Sequence, residues 1–260
     1  MRKIMKFALS VALASSMSLG GIAMAQNTIN QDTELSAIID RLANKETPSY
    51  VTSLDKRMQS LVTIATLSAL GDTELLKDAI AKAIEEGVAT VEIRETLYQG
   101  MAYVGTSLIN RAEITFMQTL EEMNLPTELE KAGTVNDENR FDKGFEAQTS
   151  IFGYDHITQM HQNTREDSKH LNVDLLTGFC FGDSYTREVL PLKEREFLTF
   201  VYIAALGGCE PQVKAHAGGN IAVGNTRQML LDALTVMVPY IGFPKTLNAQ
   251  AMVNEVTLQK

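Results

Sequence analysis

The stretch GGCEPQVKAH, Gly207 to His216, holds one of the two cysteines and one of the four histidines in the chain, seven residues apart. A histidine is the side chain whose ordinary pKa suits proton transfer near neutrality. Cys209 stands just before Glu210-Pro211, and proline is tolerated in the first turn of a helix, so the thiol lies beside a helix N-terminus. The partial positive charge there lowers a thiol pKa, while Glu210 pushes the other way. Three readings of Cys209 follow: a one-cysteine redox site, a buried inert thiol, or a disulfide with Cys180 in GFCFGD. Seven helical residues rise roughly 10 Å at 1.5 Å per residue, so Cys209 reaches His216 directly only if the Gly207-Gly208 turn bends it back. The other histidines, His156, His161 and His170, are spaced by five and nine, which fits no helical ligand pair such as i, i+4. No metal is expected.

The compartment bears on what a thiol can do. The chain begins MRKIMKFALSVALASSMSLGGIAMAQ. Arg2, Lys3 and Lys6 form a basic start, Phe7 to Leu19 a short apolar run, and Ala23-Met24-Ala25 a small-x-small cleavage site. That is the layout of a signal peptide over residues 1–25, and the apolar run is short and interrupted for a membrane span. The mature chain is expected to be secreted or periplasmic, soluble, and off the membrane after cleavage. The 23 Lys and Arg against 32 Asp and Glu give a net charge of −9, and losing the three basic leader residues takes it to −12. So acidic a surface repels nucleic acid and anionic lipid. Two cysteines make no disulfide framework.

The elements that carry these residues occur twice. LVTIATLSALGDTELLKDAIAKAIEEGVATVEIRETLYQGMAYVG (Leu61 to Gly105) aligns with FLTFVYIAALGGCEPQVKAHAGGNIAVGNTRQMLLDALTVMVPYIG (Phe197 to Gly242). Ala69-Leu70-Gly71 stands 136 residues before Ala205-Leu206-Gly207, and Gly87 and Tyr103-Val104-Gly105 stand 137 before Gly224 and Tyr240-Ile241-Gly242. One residue inserted near Cys209 reconciles the two offsets. Such self-similarity indicates two copies of one supersecondary unit packed together. Each copy reads as helix, Gly stop, helix, Gly stop, helix. Leu61 to Leu70 and Phe197 to Leu206 are apolar on every side, as buried helices are. Asn225 is the expected cap of the helix carrying Met229, Leu230, Ala233, Leu234 and Met237. Gly242-Phe243-Pro244 punctuates it, and a last helix runs from about Lys245 to Thr257. The fold class is all-α, an intramolecular pseudo-dimer of tandem repeats. The first repeat spans 26–130, a polar linker 131–140, and the second repeat, preceded by two or three helices, 141–260.

The ordered set FGDSYTREVLPLKEREFLTFVYIAALGG, KAH, VGN and PYIGFPKTLNA resembles the carboxymuconolactone decarboxylase family, which shares the alkylhydroperoxidase D-like fold. The match covers Phe181 to Ala249, and the first repeat matches more loosely from Leu54 to about Ala112. The resemblance implies an all-helical protein that assembles through its helical faces. Six units in a ring make a chain of two units a homo-oligomer, a trimer. It also implies chemistry without metal or organic cofactor on a small anionic lactone. Losing CO2 from such a substrate leaves a dienolate, so the site must stabilise an oxyanion and deliver a proton. The matching residues are Glu196 and His216 for proton transfer and Arg195 for a substrate carboxylate. For Arg195 and Lys214 a solvated face is the competing reading, and for His216 a satisfied core histidine. Tyr240 and Tyr103 are candidate hydroxyl donors to a ligand, against plain packing roles.

The peroxidase branch that the resemblance brings in uses Cys-x-x-Cys-x-x-x-His. Here Gln212 stands where the second cysteine belongs, so no dithiol cycle is available at this motif. Ala79 stands where the first repeat would carry the counterpart of His216, which makes that repeat a scaffold able to close one wall of the second unit's pocket. Three functions stay open: a lyase-type enzyme using Glu196 and His216, a thiol-dependent antioxidant using Cys209, and a non-catalytic oligomeric binding protein.

Overall fold

Short polar caps start the helices. Asp32 caps α1 (Thr33–Asp40) by accepting from the N–H groups of Glu34 and Leu35. A π-type turn, Arg41–Glu46, leads into α2 (Thr47–Tyr50). Asp55 caps α3 (Lys56–Leu70) through the Met58 N–H, and Asp72 caps α4 (Thr73–Glu85) through that of Leu75. Each satisfies a donor that has no partner inside the helix. Helices α5 (Thr90–Val104) and α6 (Thr106–Glu122) complete the first repeat. The second begins with α7 (Arg140–Phe152), α8 (Tyr154–Asn163) and a π-wound helix, His170–Tyr185. It continues with α9 (Leu192–Leu206), α10 (Glu210–Ala222) and α11 (Arg227–Thr257). The computed structural model describes residues 32–258, so the leader expected at 1–25 lies outside the described residues. Among the described residues there is no strand, and no helix is long and apolar enough to cross a membrane.

The backbone shows the duplication directly. Gly87 and Gly224, 137 residues apart, stop their helices at φ +91° and +89°. Gly105 (φ +84°, ψ 160°) and Gly242 (φ +71°, ψ 171°) share a conformation that is essentially glycine's alone, and Gly242 breaks α11 where the sequence led us to expect punctuation. One detail differs from expectation. The cap of α11 is Thr226, whose side chain accepts from the Met229 N–H, not Asn225. Asn225 instead donates to the Lys193 carbonyl and to Asn220 Oδ1, tying α11's start to α9 and α10.

The two repeats interlock through their most apolar helices. Every residue from Arg195 to Ala205 in α9 is buried. Helix α9 packs on α3 and α5, and α3 packs on α11, so each central helix is covered by elements of both repeats. One core runs through them, from Leu61, Ile64 and Phe116 to Phe197, Phe200 and Met237. Burying each such side chain is worth about 1.5–3 kcal/mol, which is why the repeats do not separate into independent domains. The polar connection after α6 is also docked: Ala132 is buried and its carbonyl accepts from the Glu188 N–H, ahead of α9.

Candidate functional site

Glu196 lies in the first turns of α9 and His216 in the middle of α10. The side of α10 that faces α9 there is nearly bare. Gly219 has no Cβ, and one built there would collide with Glu196 Oε1 and crowd Ile151 and Phe152. That close approach lets His216 Nδ1 sit 2.8 Å from Glu196 Oε1. Asn220 braces the crossing from the same helix, its amide donating to the carbonyls of Glu196 and His216. The Glu196 side chain is fully buried, whereas the imidazole keeps 12% of its surface exposed. Access to the pair is therefore through the histidine. A carboxylate only accepts, so Nδ1 is the donor in this bond. The rings of Phe152 and Tyr103 stand edge-on to the imidazole, centroids 5.5 and 5.7 Å away, and hold its plane.

A second donor meets the carboxylate from behind. Tyr185, at the end of the π-wound helix, donates to Glu196 Oε2 at 2.7 Å. With its one hydrogen spent there, its oxygen accepts from Thr199 Oγ1 (2.7 Å) and from the Tyr103 hydroxyl (3.0 Å). Cys180 Sγ in turn donates to Tyr103 at 3.3 Å, and Gln99 Nε2 donates to Thr199. All these hydrogens point toward Glu196. Burial, then the neighbouring Glu196 and Tyr103, pushes the Tyr185 hydroxyl well above its ordinary value, and burial does the same to Tyr103. Both stay protonated donors. The arrangement is a buried carboxylate held on both oxygens and pinning one nitrogen of a part-exposed imidazole, a geometry suited to acid/base chemistry.

The sequence-predicted residues do not all gather here. Arg195 is neither on a solvated face nor at the pocket. It is fully buried, donating to Glu95, to Gln99, and to the carbonyls of Arg187, Glu188 and Leu190. Burial pulls its guanidinium down from the ordinary value, with Glu95 opposing. It touches the site only through Gln99, Thr199 and Tyr185. Tyr240 lines a different cavity, whose walls include neither Glu196 nor His216. Cys209 is half-buried at the N-cap of α10, and the contact its thiol makes is to the Gly207 carbonyl, 3.5 Å away. Cys180 and Cys209 are both free thiols, so the disulfide alternative is not what the structure holds. Lys214 is on a solvated face, paired with Glu255. His161 rests against Phe141 and Phe145 with Nε2 3.2 Å from Thr177 Oγ1, and among the described residues no three His, Cys, Asp or Glu side chains could hold a metal ion. Tyr185, Thr199 and Gln99 were missed from sequence. Tyr185 stands eleven residues before Glu196 on another helix, with no periodic signal to single it out.

The carboxymuconolactone decarboxylase family pattern matches residues 34–114 and again 172–255, together more than half of the chain. The chain belongs to the carboxymuconolactone decarboxylase family. Each matched region lies within one of the two repeats, and the second contains Tyr185, Glu196 and His216. A 4-carboxymuconolactone decarboxylase from Acinetobacter baylyi is 26% identical over 122 residues, 47% of this chain and 90% of that protein. A solved protein from Burkholderia xenovorans, described as a candidate gamma-carboxymuconolactone decarboxylase subunit, is 17% identical with a TM-score of 0.48, covering 88% of this chain and 89% of that one. The family pattern matches the chain twice, in keeping with its two all-helical repeats, one carrying His216 and the other Tyr103.

Proposed function

We propose that the chain is an acid/base enzyme of the lyase type acting on a small carboxylated or lactone substrate. His216 transfers the proton, and Glu196 and Tyr185 position it. The observation that carries this reading is the 2.8 Å Nδ1–Oε1 contact between a part-exposed imidazole and a fully buried carboxylate. Decarboxylation of a lactone acid generates a dienolate that must be protonated, which suits a histidine with one nitrogen pinned and one free. The relative from Acinetobacter baylyi, named for that reaction, adds weight. Arg195 is committed to Glu95 and Gln99, so it is not the substrate's anchor. The thiol-peroxidase alternative gains nothing from the geometry, because Gln212 replaces the second cysteine and Cys209 faces the Gly207 carbonyl. From the leader-like segment and the family resemblance we also propose a secreted or periplasmic trimer; exposed Phe243 and Leu247 favour self-association, and a monomer by light scattering would exclude the trimer.

The test is turnover of a panel of small carboxylated lactones, followed by CO2 release and by uptake of solvent deuterium at carbon. His216→Ala is expected to lose about 10²–10⁴-fold in kcat, the usual worth of a positioned acid/base, while Cys209→Ser keeps full activity. Turnover unchanged in His216→Ala sinks the proposal.

A further inference from the structure

A cavity of about 450 Å³ lies on the first repeat, at the place related by the internal duplication to the His216 site. The offsets identify it. Its wall carries Ser60, 136 residues before Glu196, and Thr63, 136 before Thr199; it carries Ala79, 137 before His216, and Tyr240, 137 after Tyr103. In the second repeat the corresponding space is occupied by an imidazole and a carboxylate. In the first, alanine and serine stand in their place, so the space is open. Its size is that of small-molecule sites, about 300–1,000 Å³.

Two polar groups on the wall lack protein partners. Tyr240 is half-buried, and its hydroxyl makes no hydrogen bond among the described residues, whereas its counterpart Tyr103 is bonded to both Tyr185 and Cys180. Burial raises that hydroxyl to about 12, so it stays a donor. Asp78 is half-buried with no hydrogen bond or ion pair among the described residues, and loss of water raises its carboxyl above the ordinary value, with Lys77 opposing and Glu74 adding to it. Of the cations nearby, Lys77 is paired with Glu122, Lys82 is turned to Glu86 at 3.8 Å, and Lys56 is exposed to solvent. An unpaired, part-desolvated carboxylate beside apolar walls from Leu67, Leu75 and Val236 is completed by an organic cation.

We propose that this cavity is a second, non-catalytic binding site for a small organic amine, whose ammonium pairs with Asp78 while its hydrophobic body fills the space left by Ala79 and a polar atom meets Tyr240. The proposal does not depend on the lyase reading, since none of its residues belongs to the His216 pair.

Benzylamine is the probe, compared with benzoate and benzyl alcohol of the same size, by saturation-transfer NMR and calorimetry on the mature chain. Benzylammonium is expected to bind at least tenfold more tightly than either analogue. Asp78→Asn should remove that preference, Ala79→Leu should abolish binding of all three, and His216→Ala should leave it unchanged. Circular dichroism melts establish that each variant folds; Asp78→Asn, nearly isosteric, decides the matter if Ala79→Leu does not. The proposal is overturned by no saturation at millimolar probe, by benzoate binding as tightly as benzylammonium, by Asp78→Asn keeping the preference, or by binding that disappears in His216→Ala.

Discussion

Tyr185 is the residue whose contribution is least visible and most testable. Its hydroxyl is one of two donors on Glu196, and hydrogen bonds to charged groups are worth about 1.5–3 kcal/mol. Tyr185→Phe keeps the ring that stacks on Phe181, 4.9 Å between centroids, and removes the hydroxyl alone. The expected result is a kcat lower by about 10–100-fold, by that same energy, with KM little changed and an altered pH–rate profile. A loss of stability with normal turnover per folded molecule would make the hydroxyl structural instead. The two thiols should also separate. Burial pushes Cys180 up to about 12 and shuts it from reagent, while Cys209 is half-buried, so iodoacetamide near neutral pH should label Cys209 and spare Cys180 until the protein unfolds. The sign for stability is definite. The folded thiol of Cys180 holds its proton beyond the ordinary value of 9.0, so its contribution is intact below pH 9 and fades as pH rises toward about 12.

At the scale of elements, the site depends on how near α10 comes to α9. Gly219 sets that distance, and Asn220 clamps it through the carbonyls of Glu196 and His216. Gly219→Ala improves helix propensity in isolation, yet its methyl falls on Glu196 Oε1, where the buried carboxylate has no room to retreat. Overpacking of this kind costs about 1–3 kcal/mol, so the variant should melt lower and lose the His216–Glu196 contact, reported by loss of turnover. A Gly219→Ala protein that is more stable and fully active would show that α10 can shift without consequence.

In the whole molecule, the repeats are latched by two carboxylates in corresponding places. Glu95, on α5, binds Arg187 and Arg195 ahead of and within α9. Asp232, on α11, accepts from the N–H groups of Thr52 and Ser53 and the Ser53 hydroxyl, ahead of α3. Each repeat thus holds the entry to the other's central helix. Burial alone would raise the Glu95 carboxyl, but Arg187 and then Arg195 outweigh it and hold it below the usual range; hydrogen bonds from Ser53 do the same against burial for Asp232. A depressed carboxyl contributes stability above its ordinary pKa, near 4.5 for Glu95, and that stability is lost as pH falls below it. Glu95→Gln takes the carboxylate from three arginines, Arg94, Arg187 and the wholly buried Arg195, and should cost about 3–5 kcal/mol at neutral pH while flattening the acid limb of the stability curve. Chemical denaturation at pH 7 and pH 4 checks both parts.

The duplication, the helical class, the glycine stops and the candidacy of Glu196 with His216 were legible in the amino-acid order. The helical class and the glycine stops are written in short-range spacing, the duplication in self-similarity at 136–137 residues, and the candidacy of Glu196 with His216 in the resemblance to the decarboxylase family. The chemistry of Cys209, the role of Arg195 and the place of Tyr240 were not. Only the packed molecule turned Arg195 inward to Glu95, 100 residues away, and set Tyr103 against Tyr185 across 82 residues. It also placed Tyr240 on the wall of the first repeat's cavity. These are meetings between helices of different repeats. No local pattern encodes them, because what brings the side chains together is the burial of two apolar helices against each other rather than any preference of the residues concerned.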